Sequence, residues 1–263
     1  MSYTFGDHDE ASLRLRRLAA VYEPETRGLL ELARDSELRH KCRLAVDLGC
    51  GPGWTTQLLD VVLKPERTVG LDSSERYIAE ARSNCPTLEF IRHDILQTPF
   101  PVESPDLFLC RFLLTHLASP QAALRVWADT AAPRAKLLIH ETEWLESTDP
   151  ALRRYYELVD EMQRHYGQDL KVGATLDLSI AEAGWHVQES RSLVLEKSAR
   201  EMAQLHLPNL RTWGRNEFAV QAFDRRELDE LEATLDSIAS RASDAGIVYN
   251  SAKQIVAERE YPC

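Results

Sequence analysis

The chain has 263 residues, enough for one large domain or a domain with an insertion, and ample to bury a core. Acidic residues outnumber basic ones by 42 to 31, and the formal charge of −11 is spread along the chain. That argues against a nucleic-acid partner, which calls for a basic face. No run reaches the roughly 18 apolar residues of a membrane span, and Met1–His8 lacks the basic region and apolar core of a signal peptide.

In chain order, residues 1–35 read as helical. Arg14, Arg16 and Arg17 lie at helical spacing beside Leu13, Leu15 and Leu18 and read as a solvated helix face. Ala45-Val46-Asp47-Leu48-Gly49-Cys50-Gly51-Pro52-Gly53-Trp54-Thr55-Thr56 then joins a short apolar strand to a helix through a turn with three glycines. Without Cβ atoms, Gly49, Gly51 and Gly53 take conformations closed to other residues and bring main-chain groups within reach of a ligand. The following helix, Thr55 to Leu63, opens with unpaired N–H groups.

Thr68 to Asp72 reads as the second strand, and its acid stands nineteen residues after Gly53. A carboxylate about 20 residues beyond such a turn can take both hydroxyls of a ribose. Glu75 to Arg82 is the second helix, Leu88 to Ile95 a third strand with Asp94 at its exit, and Leu107 to Cys110 a fourth. Pro120 to Ala132 is a helix with proline at its start, and Lys136 to His140 the fifth strand. Strand and helix alternate, the pattern of a parallel sheet covered by helices.

Farther on, Pro150 to Tyr166 is helical, and Trp185 to Leu195 and Ile247 to Ala257 read as two more strands. Between those strands, Ala199 to Asp244 is rich in Leu, Ala, Glu and Arg, with Pro208 and Gly214 as breaks. An ordinary connection is a few residues long. This stretch, with Pro150 to Tyr166 and residues 1–35, is therefore expected to form a cap over the ligand site; the alternative is a dimer interface or scaffold.

A dinucleotide fingerprint, G-x-G-x-x-G, is broken here. Counting from Gly49 the third glycine falls on Trp54, and counting from Gly51 it falls on Thr56. A bulky Trp54 argues against a pyrophosphate on this turn. Over roughly residues 43–145 the chain instead resembles the class I S-adenosylmethionine-dependent methyltransferases, whose acid-x-Gly-x-Gly-x-Gly, ribose acid and adenine acid are matched by Asp47 to Gly53, Asp72 and Asp94.

The resemblance implies an α/β fold: a Rossmann-like seven-stranded sheet, parallel with one antiparallel strand, flanked by helices and carrying a helical cap. It divides the chain into an N-terminal helical lid (1–35), a cofactor-binding core (36–145), and the remainder of the sheet (146–263) with a helical insertion at about 199–244. It implies S-adenosyl-L-methionine as cofactor, held by Asp47, Gly49, Cys50, Gly51, Gly53 and Ser73, with Asp72 on the ribose, Asp94 on the adenine amine, Ile95 against the adenine and Arg111 through its backbone carbonyl. Members of the family usually carry Pro-Gly-Gly before the fifth strand. This chain has Pro133-Arg134-Ala135, which puts the geometry of that turn in question.

Methyl transfer needs a base only when the acceptor must lose a proton. Ligands of open α/β sheets bind at the carboxyl ends of strands, which makes His116, Glu141 and Glu143 the catalytic candidates. His116 either accepts a proton, its ordinary pKa of about 6.5 suiting that task, or supports the loop. Strand alternation sends His140 and Thr142 to one face and Glu141 and Glu143 to the other; the two acids either meet a cationic amine of the substrate or lie in solvent. Trp144, Tyr155, Tyr156, His165, Tyr166, Tyr249 and Asn250 either line a pocket or pack in the core.

The five cysteines, 42, 50, 85, 110 and 263, form no C-x-x-C pair and no metal-ligand spacing, and read as reduced thiols of a cytoplasmic protein. Cys50 reads as a small apolar filler within the glycine loop. The expected partner is a small-molecule acceptor, methylated on O or N, with no metal, nucleic acid or membrane. A peptide or protein acceptor, or a cofactor-binding protein without activity, is the alternative. No Asn-Pro-Pro-Tyr-like tetrapeptide follows the fourth strand, where Arg111-Phe112-Leu113-Leu114 stands.

Overall fold

The computed structural model describes residues 9–35, 42–241 and 246–259. Residues 1–8 of the expected lid, 36–41 of the expected core, the last residues of the expected insertion and Cys263 lie outside them. Two helices, α1 (Asp9–Val21) and α2 (Glu23–Asp35), come first. The chain then alternates through β1 (Leu44–Leu48), α3 (Trp54–Leu63), β2 (Arg67–Asp72), α4 (Glu75–Asn84), β3 (Glu89–Arg92), β4 (Leu107–Arg111), α5 (Pro120–Thr130) and β5 (Lys136–Ser147). After α6 (Pro150–His165) and α7 (Leu176–Ala181) comes β6 (Trp185–Ser198). Three helices, α8 (Ala199–Trp213), α9 (Glu217–Ala222) and α10 (Arg225–Ser240), precede the final strand β7 (Ile247–Arg259).

The seven strands form one sheet in the order β3-β2-β1-β4-β5-β7-β6. All the pairs are parallel except those of β7, which runs antiparallel to both β5 and β6. The chain order reverses between β1 and β4, so the crevice at the carboxyl ends of these two strands is the switch point at which α/β sheets bind ligands. The fold is the one expected from the sequence.

Alternation along the strands splits the core between the two faces of the sheet. Leu44, Val46, Phe108, Cys110, Leu137 and Ile139 pack on one face with α5 and α7, where Trp127 and Trp185 are fully buried. Each indole N–H finds a carbonyl, Trp127 that of Ile95 and Trp185 that of Leu124. On the other face Ala45, Leu107, Leu109 and Leu138 pack with α2 and α3. A separate apolar cluster joins α6, α8, α9 and α10 to Val248 of β7.

Four elements differ from their sequence expectation. Strand β3 ends at Arg92, because Asp94 starts a turn in which its carboxylate accepts the N–H of Leu96 and its carbonyl that of Gln97. Strand β5 runs on to Ser147, because β7 pairs with it along that whole length, and a bulge between Thr142 and Trp144 inserts Glu143 as an extra residue. Helix α8 passes through Pro208 without breaking, its buried Leu205, Leu207 and Leu210 holding it in the apolar cluster, whereas Gly214 does end it. The helix face carrying three arginines is not uniformly solvated: Arg14 is 6% exposed, while Leu13 is 54% exposed. Before β5, Arg134 takes the left-handed conformation, φ 63°, in the place where the family usually has glycine.

Leu138 occupies the middle of the sheet with no exposed surface. Leu138→Ala is expected to cost about 2–5 kcal/mol, the transfer and cavity terms of a buried leucine, read from the shift of a urea unfolding curve. A loss under about 1 kcal/mol would show that this layer is not close-packed.

Candidate functional site

The glycine loop leaves β1 at the switch point and takes a path that side chains resist. Gly49, Gly51 and Gly53 have φ of 65°, 50° and 90°, in the left-handed region that favours glycine. A Cβ on Gly49 would lie 2.7 Å from Leu113 Cδ1, so even alanine would displace the Leu113 side chain. The loop is tied from below: Cys50 N–H donates to the Leu71 carbonyl at 2.9 Å, and Thr56 Oγ1 to Asp47 Oδ2 at 2.7 Å. Asp47 is buried, and burial raises its pKa to about 7 against the pull of that hydrogen bond.

Helix α3 starts at this loop with no side-chain cap on its first turn, leaving N–H donors for a ligand. At the end of β2, Asp72 aims its carboxylate across the loop. Its Oδ2 accepts from Gly51 N–H at 2.9 Å and its Oδ1 from Ser74 N–H at 2.8 Å. Each oxygen keeps further lone pairs for a diol. Beside it Ser73 is exposed, Asp94 is exposed and Ile95 is buried. Cys50 is a core side chain, 4% exposed and in the apolar cluster with Phe90, and burial drives its thiol pKa well up. It contributes to the loop through its main chain.

These features fit an adenosine-bearing cofactor on the chemistry of the groups they present. The loop packs its glycines against Leu113, Leu15 and Phe90 where no Cβ stands between, with uncapped helix donors on one side and a carboxylate one strand away. Over it lies α1, whose Leu15 Cδ1 is 3.5 Å from the Cβ position of Gly51 and whose Ser12 donates to Glu80 on α4 at 2.8 Å.

Arg111 is expected to contribute its backbone carbonyl; the structure adds its side chain. The guanidinium is turned inward, Nη1 donating to Thr26 Oγ1 at 3.3 Å, and burial lowers its pKa to about 10 although the nearby Asp47 favours its charge. With Arg16 and Trp54 it lines an open groove of about 270 Å³ between α1, α2 and α3. Behind it His140 is fully buried against Tyr22 and Phe112, and neither ring nitrogen has a hydrogen-bond partner. Burial lowers its pKa to about 3, so this imidazole is neutral.

Glu141 belongs neither in solvent nor at a strand exit. It has no exposed surface, and its Oε1 accepts the N–H groups of Leu113 and Leu114, both at 2.7 Å. It thereby fixes the turn after β4, where Phe112 takes a φ of 49° and Leu113 reaches Gly49. Burial raises the Glu141 pKa to about 7 despite these bonds. Glu143, the extra residue of the bulge, is half-buried and accepts from Ser251 Oγ at 2.7 Å. The bulge explains why simple alternation did not pair the two acids.

A second cavity, about 120 Å³, opens where β4 and β5 end. Its floor is Phe112, Thr115, His116 and Thr142, and its roof is made by α1, α6 and α8. Tyr155, Tyr156 and Asn250 line it, as the sequence allows, while His165 and Tyr166 stack around Phe218 away from it and Trp144 and Tyr249 are not on its wall. His116 is on the wall with its Nδ1 3.4 Å from Gln163 Nε2. Burial, and then the charge of Arg14, lower its pKa to about 3. Arg14, Gln163, His206 and Asn209 were not anticipated as site residues. Their signal is tertiary, since only packing of three distant helices brings them together.

Residues 46–139 match the family described as "Methyltransferase domain". Over 95 residues, 36% of this chain and 36% of the relative, the chain is 36% identical to a trans-aconitate 2-methyltransferase of Paracidovorax citrulli. The chain spans about two fifths or less of the length of such curated relatives. Among solved structures, the YcgJ protein of Bacillus subtilis superposes with a TM-score of 0.56 at 15% identity, over 91% of this chain and 99% of that one. The N-methyltransferase NodS of Bradyrhizobium japonicum WM9, in complex with S-adenosyl-L-homocysteine, does so with a TM-score of 0.54 at 13% identity, over 91% and 87%. At these identities the likeness is one of fold. Among the described residues no helix is long and apolar enough to cross a membrane, and no group of three or more His, Cys, Asp or Glu is disposed to hold a metal ion.

The raised pKa values of Asp47 and Glu141 have a consequence for stability. The folded protein holds both protons to about pH 7, whereas an unfolded chain releases them near the ordinary values, about 3.8 and 4.5. Between these limits the folded state binds more protons, so stability falls as pH rises from about 4 to about 7. Glu141→Gln, which keeps an acceptor for Leu113 and Leu114, is expected to make that fall shallower. Glu141→Ala, which strands two buried donors, is expected to cost about 2 kcal/mol or more. Urea unfolding across that pH range reads both. A Glu141→Gln protein with the wild-type slope would show that the proton is held elsewhere.

Proposed function

Residues 46–139 are a methyltransferase domain in the class I fold, and on that premise we propose that this protein transfers a methyl group from S-adenosylmethionine to an oxygen or nitrogen of a small molecule. The observation that carries the reading is a junction. The glycine loop and the roofed cavity share one wall, the turn in which Leu113 packs on Gly49 while the neighbouring Phe112 faces the cavity. Two ligands placed on either side of such a turn stand next to each other, and alignment of two reactants is a large part of what an enzyme supplies, roughly 7–11 kcal/mol in the best cases.

When bound, the cofactor provides an electrophilic methyl group on a sulfonium. The chain's own contribution is to hold and shield. Main-chain groups at Gly49, Cys50, Gly51 and Gly53 and the opening turn of α3 receive the amino-acid end, Asp72 the ribose hydroxyls, Ser73, Asp94 and Ile95 the adenine. The Thr56 hydroxyl and Glu141 carboxylate keep the loop and the turn in register. Leu15 of α1 lies against the loop and excludes water there. In the cavity His116 acts as a neutral hydrogen-bond acceptor. With a pKa of about 3 it is a weak base, far from the near-neutral value that suits proton abstraction.

A metabolite acceptor is supported by the small size of the cavity and by relatives named for a small organic acid. Four free, buried cysteines among the described residues support a reducing compartment such as the cytoplasm.

Asp72→Ala is expected to weaken S-adenosylhomocysteine binding by about 1–3 kcal/mol, roughly 5- to 150-fold, the loss of hydrogen bonds to a charged group. Isothermal titration reads this directly, and unchanged affinity would remove Asp72 from the ribose site. Incubation with methyl-labelled S-adenosylmethionine and a cell extract, followed by separation by size, is expected to place label in the low-mass fraction. Label retained with protein would replace the metabolite by a macromolecular acceptor.

A further inference from the structure

The side chain of Arg111 has more donors than the fold uses. A guanidinium carries five N–H groups, and among the described residues Arg111 employs one, from Nη1 to Thr26 Oγ1 at 3.3 Å. It has no ion-pair partner among them, and its Cζ lies 5.7 Å from the centroid of the Phe112 ring. Asp47 favours its charge most, followed by Tyr22 and Glu141. Both acids are already engaged, Asp47 by the Thr56 hydroxyl and Glu141 by two backbone N–H groups, and both hold their protons to about pH 7. They offset the guanidinium only in part.

A cation drawn this far inward bears the cost of its lost hydration, and burial is the cause that lowers its pKa to about 10. Its remaining nitrogens are not sealed in the interior; they open on the groove of about 270 Å³ between α1, α2 and α3. The same groove holds Trp54 and Thr55 of the first turn of α3, which follow the uncapped Gly53. The guanidinium of Arg16 stands 5.4 Å over the Trp54 ring at its edge. The acid on its described wall, Glu23, is spent on Arg27 at 2.8 Å. An inward guanidinium and the positive end of a helix thus meet in one open space beside the glycine loop.

We propose that the Arg111 side chain binds the α-carboxylate at the methionine end of the methyl donor, with first-turn N–H groups of α3 as further donors. This role rests on the S-adenosylmethionine reading given above and extends it from the backbone carbonyl of Arg111 to its guanidinium. With Nη1 on Thr26, the Nε and Nη2 edge is left, and its two parallel N–H groups match the two oxygens of a carboxylate. The methionine end is a zwitterion. One residue then answers both of its charges, the carbonyl oxygen taking the ammonium and the side chain the carboxylate. The guanidinium gains from the ligand the ion pair that the described residues do not give it, so a nucleoside without the carboxylate is held less tightly.

The test uses two ligands that differ only in that group: S-adenosylhomocysteine and its decarboxylated counterpart, S-adenosyl-3-thiopropylamine. Isothermal titration of the full chain at neutral pH is expected to give S-adenosylhomocysteine an advantage of about tenfold or more, the worth of a charge-assisted hydrogen-bonded pair. Arg111→Met is expected to remove that advantage, weakening S-adenosylhomocysteine about tenfold while the decarboxylated ligand does not weaken. Arg111→Lys, which keeps the charge and loses the fork, is expected to retain part of it. Asp72→Ala acts on the ribose that both ligands share, and is expected to weaken the two alike and leave their ratio intact. Equal affinity of the two ligands for the wild-type protein, an advantage that survives Arg111→Met, or a parallel loss of both ligands in that variant would each overturn the proposal. The first of these comparisons needs no variant to fold. Failure of both ligands to bind the wild-type protein would overturn the cofactor reading, and this assignment with it.

Discussion

The interaction on which the rest of this site depends is the grip of Glu141 on the N–H groups of Leu113 and Leu114. A strand leaving a parallel sheet must turn back over its end, and the turn exposes backbone donors in a region that packing has made dry. Here a carboxylate from the adjacent strand takes them at 2.7 Å, and Phe112 is held at a positive φ that a non-glycine residue does not adopt without support. The position of Leu113 against Gly49 and of Phe112 on the cavity wall both follow. One buried acid therefore sets the distance between the loop and the cavity, and the burial that makes the bond strong also raises its pKa to about 7.

How much of this was legible in the sequence depends on how far apart the partners are in the chain. The glycine loop, the acid at the end of β2 and the alternation of strand and helix to residue 145 rest on local spacing, because a turn needs its glycines and a strand its short apolar run. Glu141 was visible as a residue and misplaced as an environment. Its strand runs to Ser147 only because β7, more than a hundred residues later, pairs with it, and the bulge that takes Glu143 out of alternation belongs to that pairing. Arg14 failed for a related reason. Its neighbours Leu13 and Arg16 both face outward, so helical periodicity alone gave no cue that the arginine between them turns toward α8.

The division between what is shared and what is particular follows the same boundary. The match to known methyltransferases covers residues 46–139, which contain the loop, Asp72, Asp94 and the turn after β4. Most of the cavity's polar lining lies outside it: Arg14 before, and Gln163, His206, Asn209 and Asn250 after. A fold of this kind carries many activities, and the site grafted on it decides among them. The name of a relative that aligns over about a third of the chain therefore informs the glycine loop and says little about the cavity.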